Sequence, residues 1–246
     1  MTHQFTLADT VWTCPKENTL QAAYEFLATH KVDYILAQFV DLHGGIKSKS
    51  VPVHCLKDLT ETGAGFAGGA ILGFDMSPQD PEYMMVADLS TLTLIPWMPG
   101  YACIRGTGMV SDEPFMLDPR NILSHQAARL KERGLRLMTG MEPEFYLLRE
   151  DEDGAIVPFD STDTMERPTY DYRGLTRNSA FIEGLHKSLE AVGLEVYQID
   201  HEDANGQFEI NFKYDECVKT ADNMQFFKMT AKEVANNNGA ICSFLP

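Results

Sequence analysis

Apolar positions along this chain change period several times, and each change predicts an element. Leu20, Ala23, Tyr24 and Leu27 recur at helical spacing and predict a helix over residues 17–30, after a tail that fills residues 1–14. Residues 34–41 read as a strand, Gly44-Gly45 as a turn and residues 46–53 as the returning strand. A short helix end over residues 58–65 runs into the small, glycine-rich stretch 64–73, which reads as a flexible or tightly packed loop. It lacks the pattern of a phosphate cradle. Residues 79–85 are polar and contain Pro81, and residues 91–97 and 101–109 read as two more strands. One helix with about four strands makes a small α+β unit of roughly a hundred residues. The proline-marked stretch 111–119 reads as a linker, with Asp118 as N-cap and Pro119 as the first residue of a helix stopped by Gly134.

In the second half, residues 136–148 predict a strand and residues 151–167 an acidic, solvated loop. Residues 178–192 predict an amphipathic helix, residues 220–236 another, and residues 240–245 a final strand. Between those helices lies VYQIDHEDANGQFEINF, residues 196–212, with the turn-forming pair Asn205-Gly206 at its centre. A two-residue turn pairs Glu202 with Glu209 and His201 with Ile210. One face of the ribbon then carries Asp200, Glu202, Gln207, Glu209 and Asn211. The other, mostly apolar, carries Ile199, His201, Asp203, Phe208, Ile210 and Phe212.

Two carboxylates on one face repel each other unless a cation sits between them, and hard divalent ions take carboxylate oxygens. A second pair, Glu142 and Glu144, shares one side of the 136–148 strand, with Pro143 marking an interruption in the ladder. Two acidic pairs on two strands suit metal ions that neutralise a transferring phosphoryl group. His201, on the opposite face, reads as a core histidine rather than a ligand.

Composition narrows the function. The chain has 246 residues, 44% of them hydrophobic, enough for a sizeable core. The formal charge of −16 argues against nucleic acid and anionic membranes as partners. Five scattered cysteines without a C-x-x-C pair support neither a disulfide framework nor zinc, and point to a reduced, cytoplasmic setting. No basic-then-apolar leader and no apolar run of about 18 residues is present.

MEPEFYLL and HEDANGQFEINF resemble the metal-binding motifs of the glutamine synthetase superfamily. The likeness extends through KTADNMQFFKM, ICSFLP, VADLSTLTLIPW and YILAQFVDLHGG. Within the superfamily it resembles most the type III glutamate–ammonia ligases and the related glutamate–methylamine ligases. The resemblance implies a β-grasp-like domain over residues 15–112. After it, over residues 113–246, comes the first part of a glutamine-synthetase-type α/β catalytic domain with an antiparallel sheet. The expected object is an N-terminal fragment, inactive by itself.

The resemblance further implies ATP-dependent joining of glutamate to ammonia through a γ-glutamyl phosphate, with methylamine as the alternative amine. The cofactor is Mg²⁺ or Mn²⁺, and ATP is a substrate. Glu144, Glu202 and Glu209 would hold a first metal and Glu142 a second, Glu202 would also meet the amine, and Tyr170 would line the amine pocket. No nucleotide-contacting residue is assigned. The implied assembly is homo-oligomeric stacked rings. Two departures stand out. The family's small-domain loop carries an acid in ammonia-using members, whereas here it reads Phe66-Ala67-Gly68-Gly69-Ala70. Tyr197 occupies the place of a nucleotide-contacting glutamate. A catalytically silent module and an unrelated Mg²⁺-dependent phosphoryl-transfer enzyme are the competing readings.

Overall fold

The computed structural model describes residues 18–245, so the expected tail lies outside the described residues. The chain forms two compact units. Among the described residues, one takes those up to Met138 together with Glu216–Gln225, and the other takes Thr139–Asp215 and those from Phe226 onward.

In the first unit, α1 (Leu20–Thr29) starts later than expected because Thr19 caps it, its hydroxyl accepting the Ala22 N–H at 3.3 Å. β1 (Tyr34–Val40) and β2 (Ile46–Pro52) pair antiparallel. Asp41 fixes the turn between them by accepting the N–H groups of His43 and Gly45 at 2.9 and 2.8 Å, with Gly44 at φ +77°. After α2 (Leu56–Glu61) come β3 (Ala64–Phe66), β4 (Tyr83–Ala87), β5 (Thr93–Leu94), β6 (Tyr101–Val110) and β7 (Glu113–Pro114). The sheet order is β2-β1-β6-β4-β3, with β5 and β7 also on β6. β6 runs parallel to β1 and antiparallel to its other partners.

Two expectations change here. The strand expected over residues 91–97 shrinks to β5, and β4 arises partly from the stretch taken as merely polar. Tyr83, Met85 and Ala87 alternate inward along β4, a period-two signal hidden behind Pro81 and its acidic neighbours. Of the two readings of the glycine-rich stretch, tight packing is the one seen: Gly68 is buried, and a Cβ there would overlap the Met76 side chain.

The expected linker is stitched to the sheet instead. Phe115 N–H donates to the Gly108 carbonyl at 2.8 Å, and Asn121 Nδ2 donates to the same oxygen at 2.6 Å. Asp118 does cap α3 (Pro119–Glu132), accepting Arg120 and Asn121 N–H groups. Its Oδ2 also accepts Tyr83 Oη at 2.6 Å and Gly108 N–H at 3.1 Å. Burial pushes the Asp118 carboxyl above the usual carboxylate range, against the pull of these donors, and burial beside Asp118 pushes the Tyr83 phenol up as well. A Cβ on Gly108 would strike both partners, so only glycine fits there.

Beyond α3 the chain continues through β8 (Met138–Thr139), β9 (Glu144–Glu150), β10 (Ile156–Pro158), α4 (Tyr172–Arg177), α5 (Ser179–Glu190), β11 (Val196–His201), β12 (Gln207–Phe212), β13 (Asp215–Glu216), α6 (Cys217–Asn237) and β14 (Ile241–Ser243). The strand expected over residues 136–148 is therefore interrupted just before Glu144, where Pro143 lies. The second unit's sheet has the antiparallel order β10-β9-β12-β11. β14 takes the other edge of β9: Tyr146 faces Gln207 on one side and Ser243 on the other. One side of this sheet is apolar. Phe145, Leu147, Phe208, Ile210 and Phe212 are buried there, with Phe145 in ring contact with Phe181 of α5 and Phe227 of α6.

Replacing Asp118 with alanine removes a helix cap and strands the buried Tyr83 hydroxyl and Gly108 N–H. Urea unfolding of Asp118→Ala followed by circular dichroism is expected to show a loss of about 2–4 kcal/mol. A loss below about 0.5 kcal/mol, within the range of an ordinary surface change, would contradict this account of the node.

Candidate metal centre

The hairpin departs from its expected register by two residues. Asp200 pairs with Glu209 and His201 with Phe208, and the Glu202 N–H donates to the Gln207 carbonyl at 2.9 Å. The connection is a four-residue loop, Asp203 to Gly206, instead of a two-residue Asn-Gly turn. Gly206 alone of that pair has positive φ, at +76°, whereas the two-residue turn needs it at both positions. A slip of two keeps every side chain on its face, so Asp200, Glu202, Gln207, Glu209 and Asn211 still share one side.

β9 extends that face. Glu144 stands directly opposite Glu209, so Asp200, Glu209 and Glu144 form a row across three strands. Ile210 N–H reaches the Pro143 carbonyl at 3.3 Å and carries the ladder one residue further. Glu142 and Glu144 are both exposed while Pro143 and Phe145 between and after them are buried, as alternation requires. Amides hold three of the carboxylates. Gln198 Nε2 donates to Asp200 Oδ2 at 2.7 Å, Gln207 Nε2 to Glu144 Oε2 at 2.6 Å, and Asn211 Nδ2 to Glu209 Oε1 at 2.6 Å.

Glu202 sits at the edge of this group. Burial, then the neighbouring carboxylates of Glu209 and Glu144, push it above the usual carboxylate range. Oxygen atoms of Asp200, Glu202 and Glu209 all lie within 4.8 Å of one another. An all-carboxylate donor set of this kind fits a hard divalent cation, which would relieve the repulsion on Glu202. The tightest trio thus has Asp200 where the expected first set had Glu144, and Glu142 lies outside it. Asp200 was already on the acidic face by alternation, so the signal for it was present in the sequence.

Tyr170 is 73% exposed and holds φ +62°, with its N–H donating to the His201 carbonyl at 2.9 Å. Tyr197 is also exposed, at a register shift between Val196 and Gln198. His201 is fully buried on the apolar face beside Phe208, as a core histidine should be. Its Nε2 lies 2.8 Å from Asp163 Oδ2. Asp163 lies in the stretch 151–167, whose sequence reads as a solvated loop. No sequence pattern pointed to it, because its partners lie about forty residues away.

A family model described as the glutamine synthetase catalytic domain matches residues 116–246. A glutamate–methylamine ligase of Methyloversatilis universalis is 51% identical over 91% of this chain. The chain belongs to the glutamine synthetase family. A glutamine synthetase of Rhizobium leguminosarum is 37% identical over 90% of the chain. A solved GmaS/ADP complex superposes with a TM-score of 0.86 at 34% identity, covering 91% of this chain and 51% of that one. The chain spans about half the length of these curated relatives, 51% and 50%. The family's enzymes are ligases that use ATP and divalent metals. Among the described residues no helix is long and apolar enough to cross a membrane.

The elevated Glu202 gives a pH test. A carboxyl whose folded value lies above its ordinary 4.5 contributes stability that is complete below that value and lost as pH rises through the folded one. Metal-free wild type is therefore expected to fall in Tm relative to Glu202→Gln between about pH 4.5 and pH 8. Added Mn²⁺ should close the gap at pH 8 and leave pH 4.5 unaffected. A gap that does not change with pH would refute the assigned repulsion.

Proposed function

We propose that the protein to which this chain belongs is an ATP-dependent ligase that joins glutamate to a small amine through a γ-glutamyl phosphate, and that the amine is methylamine. The observation that carries the reading is the row of carboxylates on adjacent antiparallel strands, Asp200, Glu209 and Glu144, with Glu202 beside it. When bound, a divalent cation there supplies the positive charge that ATP phosphates and a transferring phosphoryl group need.

The residues take these roles in our reading. Glu144, Glu202 and Glu209, with Asp200 added, hold the first Mg²⁺ or Mn²⁺. Glu142 contributes to a second. Glu202 also faces the amine, for which an anionic side chain in partial desolvation is suited. Tyr170, fixed in an uncommon backbone conformation next to the turn, lines the amine pocket. Methylamine is preferred to ammonia for two reasons: the 51% identity to a methylamine ligase, and the acid-free loop Phe66-Ala67-Gly68-Gly69-Ala70. The type III branch, the stacked-ring assembly, the two domains divided near residue 112 and the cytoplasmic location belong to the same proposal.

The test is an assay of the polypeptide at its relatives' length, with glutamate, ATP and Mg²⁺ or Mn²⁺. Phosphate release coupled to γ-glutamylmethylamide formation is expected, with kcat/KM for methylamine at least tenfold above that for ammonium. A preference for ammonium would replace methylamine by ammonia and keep the ligase. A failure to release phosphate with either amine would sink the ligase reading. Glu209→Gln is expected to lower kcat/KM by at least 100-fold, since it removes charge stabilisation at the transferring group.

A further inference from the structure

We propose that Asp163 is a positioning residue for the Glu202 carboxylate, acting through His201 and the loop that follows it. The inference rests on the reading of Glu202 as a cation ligand.

Glu202 stands at the base of a four-residue loop, which by itself leaves the carboxylate's direction loosely set. Asp163 removes that freedom. Its Oδ2 accepts the Gly206 N–H at 2.6 Å and faces His201 Nε2 at 2.8 Å, and its Oδ1 accepts Asn205 Nδ2 at 3.1 Å. The far side of the His201 ring faces the Glu202 carbonyl, with Nδ1 at 2.9 Å from that oxygen. Each ring nitrogen thus has an oxygen within hydrogen-bond distance. The peptide that carries Glu202 is thus held at its N–H by Gln207 and at its carbonyl by His201, and His201 is held by Asp163.

Two features make this a clamp. The His201 and Asp163 side chains are 1% and 8% exposed, so water does not compete for their hydrogen bonds. Gly174 backs the imidazole so closely that a Cβ would overlap the ring. The same loop adds further ties: Asn205 Nδ2 donates to the Met165 carbonyl at 3.1 Å, Thr169 Oγ1 donates to Asp203, and Tyr170 N–H donates to the His201 carbonyl. The acidic loop therefore aims Glu202 and holds Tyr170 beside it.

The test is Mn²⁺ binding to the 246-residue chain, read by electron paramagnetic resonance, beside Tm. Asp163→Asn keeps one acceptor oxygen but makes the other position a donor, which faces Asn205 Nδ2 in one orientation and the Gly206 N–H in the other. It is expected to weaken Mn²⁺ about tenfold, the low end for residues that orient metal ligands. Gly174→Ala, which displaces the His201 ring without touching Asp163, should do the same. Asn205→Ala, which removes a single side chain from the network, should weaken binding about threefold and still fold if the other two variants do not. Glu152→Gln, an exposed acid in the same loop, should change nothing.

A merely structural Asp163 would lower Tm and leave the Mn²⁺ affinity of the folded chain intact. Affinities within twofold of wild type in every folded variant of the three would overturn the proposal. Loss of Mn²⁺ binding in Glu209→Gln establishes the underlying site independently. If Glu209→Gln binds Mn²⁺ as wild type does, the metal reading fails and the positioning role fails with it.

Discussion

Carboxylates in neighbouring strands repel one another, and the second unit's sheet accepts that repulsion because its other side is apolar. Each phenylalanine buried beneath the row contributes about 2–3 kcal/mol. Two exposed carboxylates about 4 Å apart oppose each other by about 1 kcal/mol in bulk water and more as they are desolvated. Phe145, Phe208 and Phe212, with Leu147 and Ile210, thus fix the register, and the acids take the positions that register leaves them. Amide side chains blunt the conflict at Asp200, Glu144 and Glu209 by donating to each. Among the described residues Glu202 has no such side-chain amide, and burial, then the Glu209 and Glu144 carboxylates, raise its affinity for a proton.

This division of labour explains what the sequence revealed about the site. Alternation of side chains along a strand is local, so the acidic face of residues 200–211 was legible from spacing alone. The register was not, because it depends on how many residues the loop consumes. A two-residue error left the face correct while changing every partner on it: Asp200, rather than Glu202, came to oppose Glu209. Had the error been one residue, the acids would have been assigned to the core. Asp163 was illegible for a different reason. Nothing in an acid-rich loop distinguishes the one side chain that folds back onto a distant turn.

The first unit teaches the same lesson with other residues. The Asp118 cap was legible, since Asp-Pro before a helical pattern has a local physical meaning. That the same carboxylate would also take a tyrosine hydroxyl from β4 and an amide from β6 was not, because both arrive through the sheet. β4 was overlooked where its apolar alternation begins within a stretch dominated by proline and acidic residues. The family resemblance supplied the fold class where periodicity supplied only pieces.

β6 pairs with β1, β4, β5 and β7, and its parallel partner β1 begins 67 residues earlier in the chain, at Tyr34 against Tyr101. During synthesis the early hairpin of β1 and β2 must therefore wait, one edge unpaired, until the strand that will occupy the middle of the sheet emerges from the ribosome. β9 faces a similar delay, since β14 reaches it nearly a hundred residues later. Non-local pairing of this kind slows folding and exposes unpaired strand edges to other nascent chains. Protection of those edges by a chaperone during translation would benefit this sequence more than one built from successive hairpins.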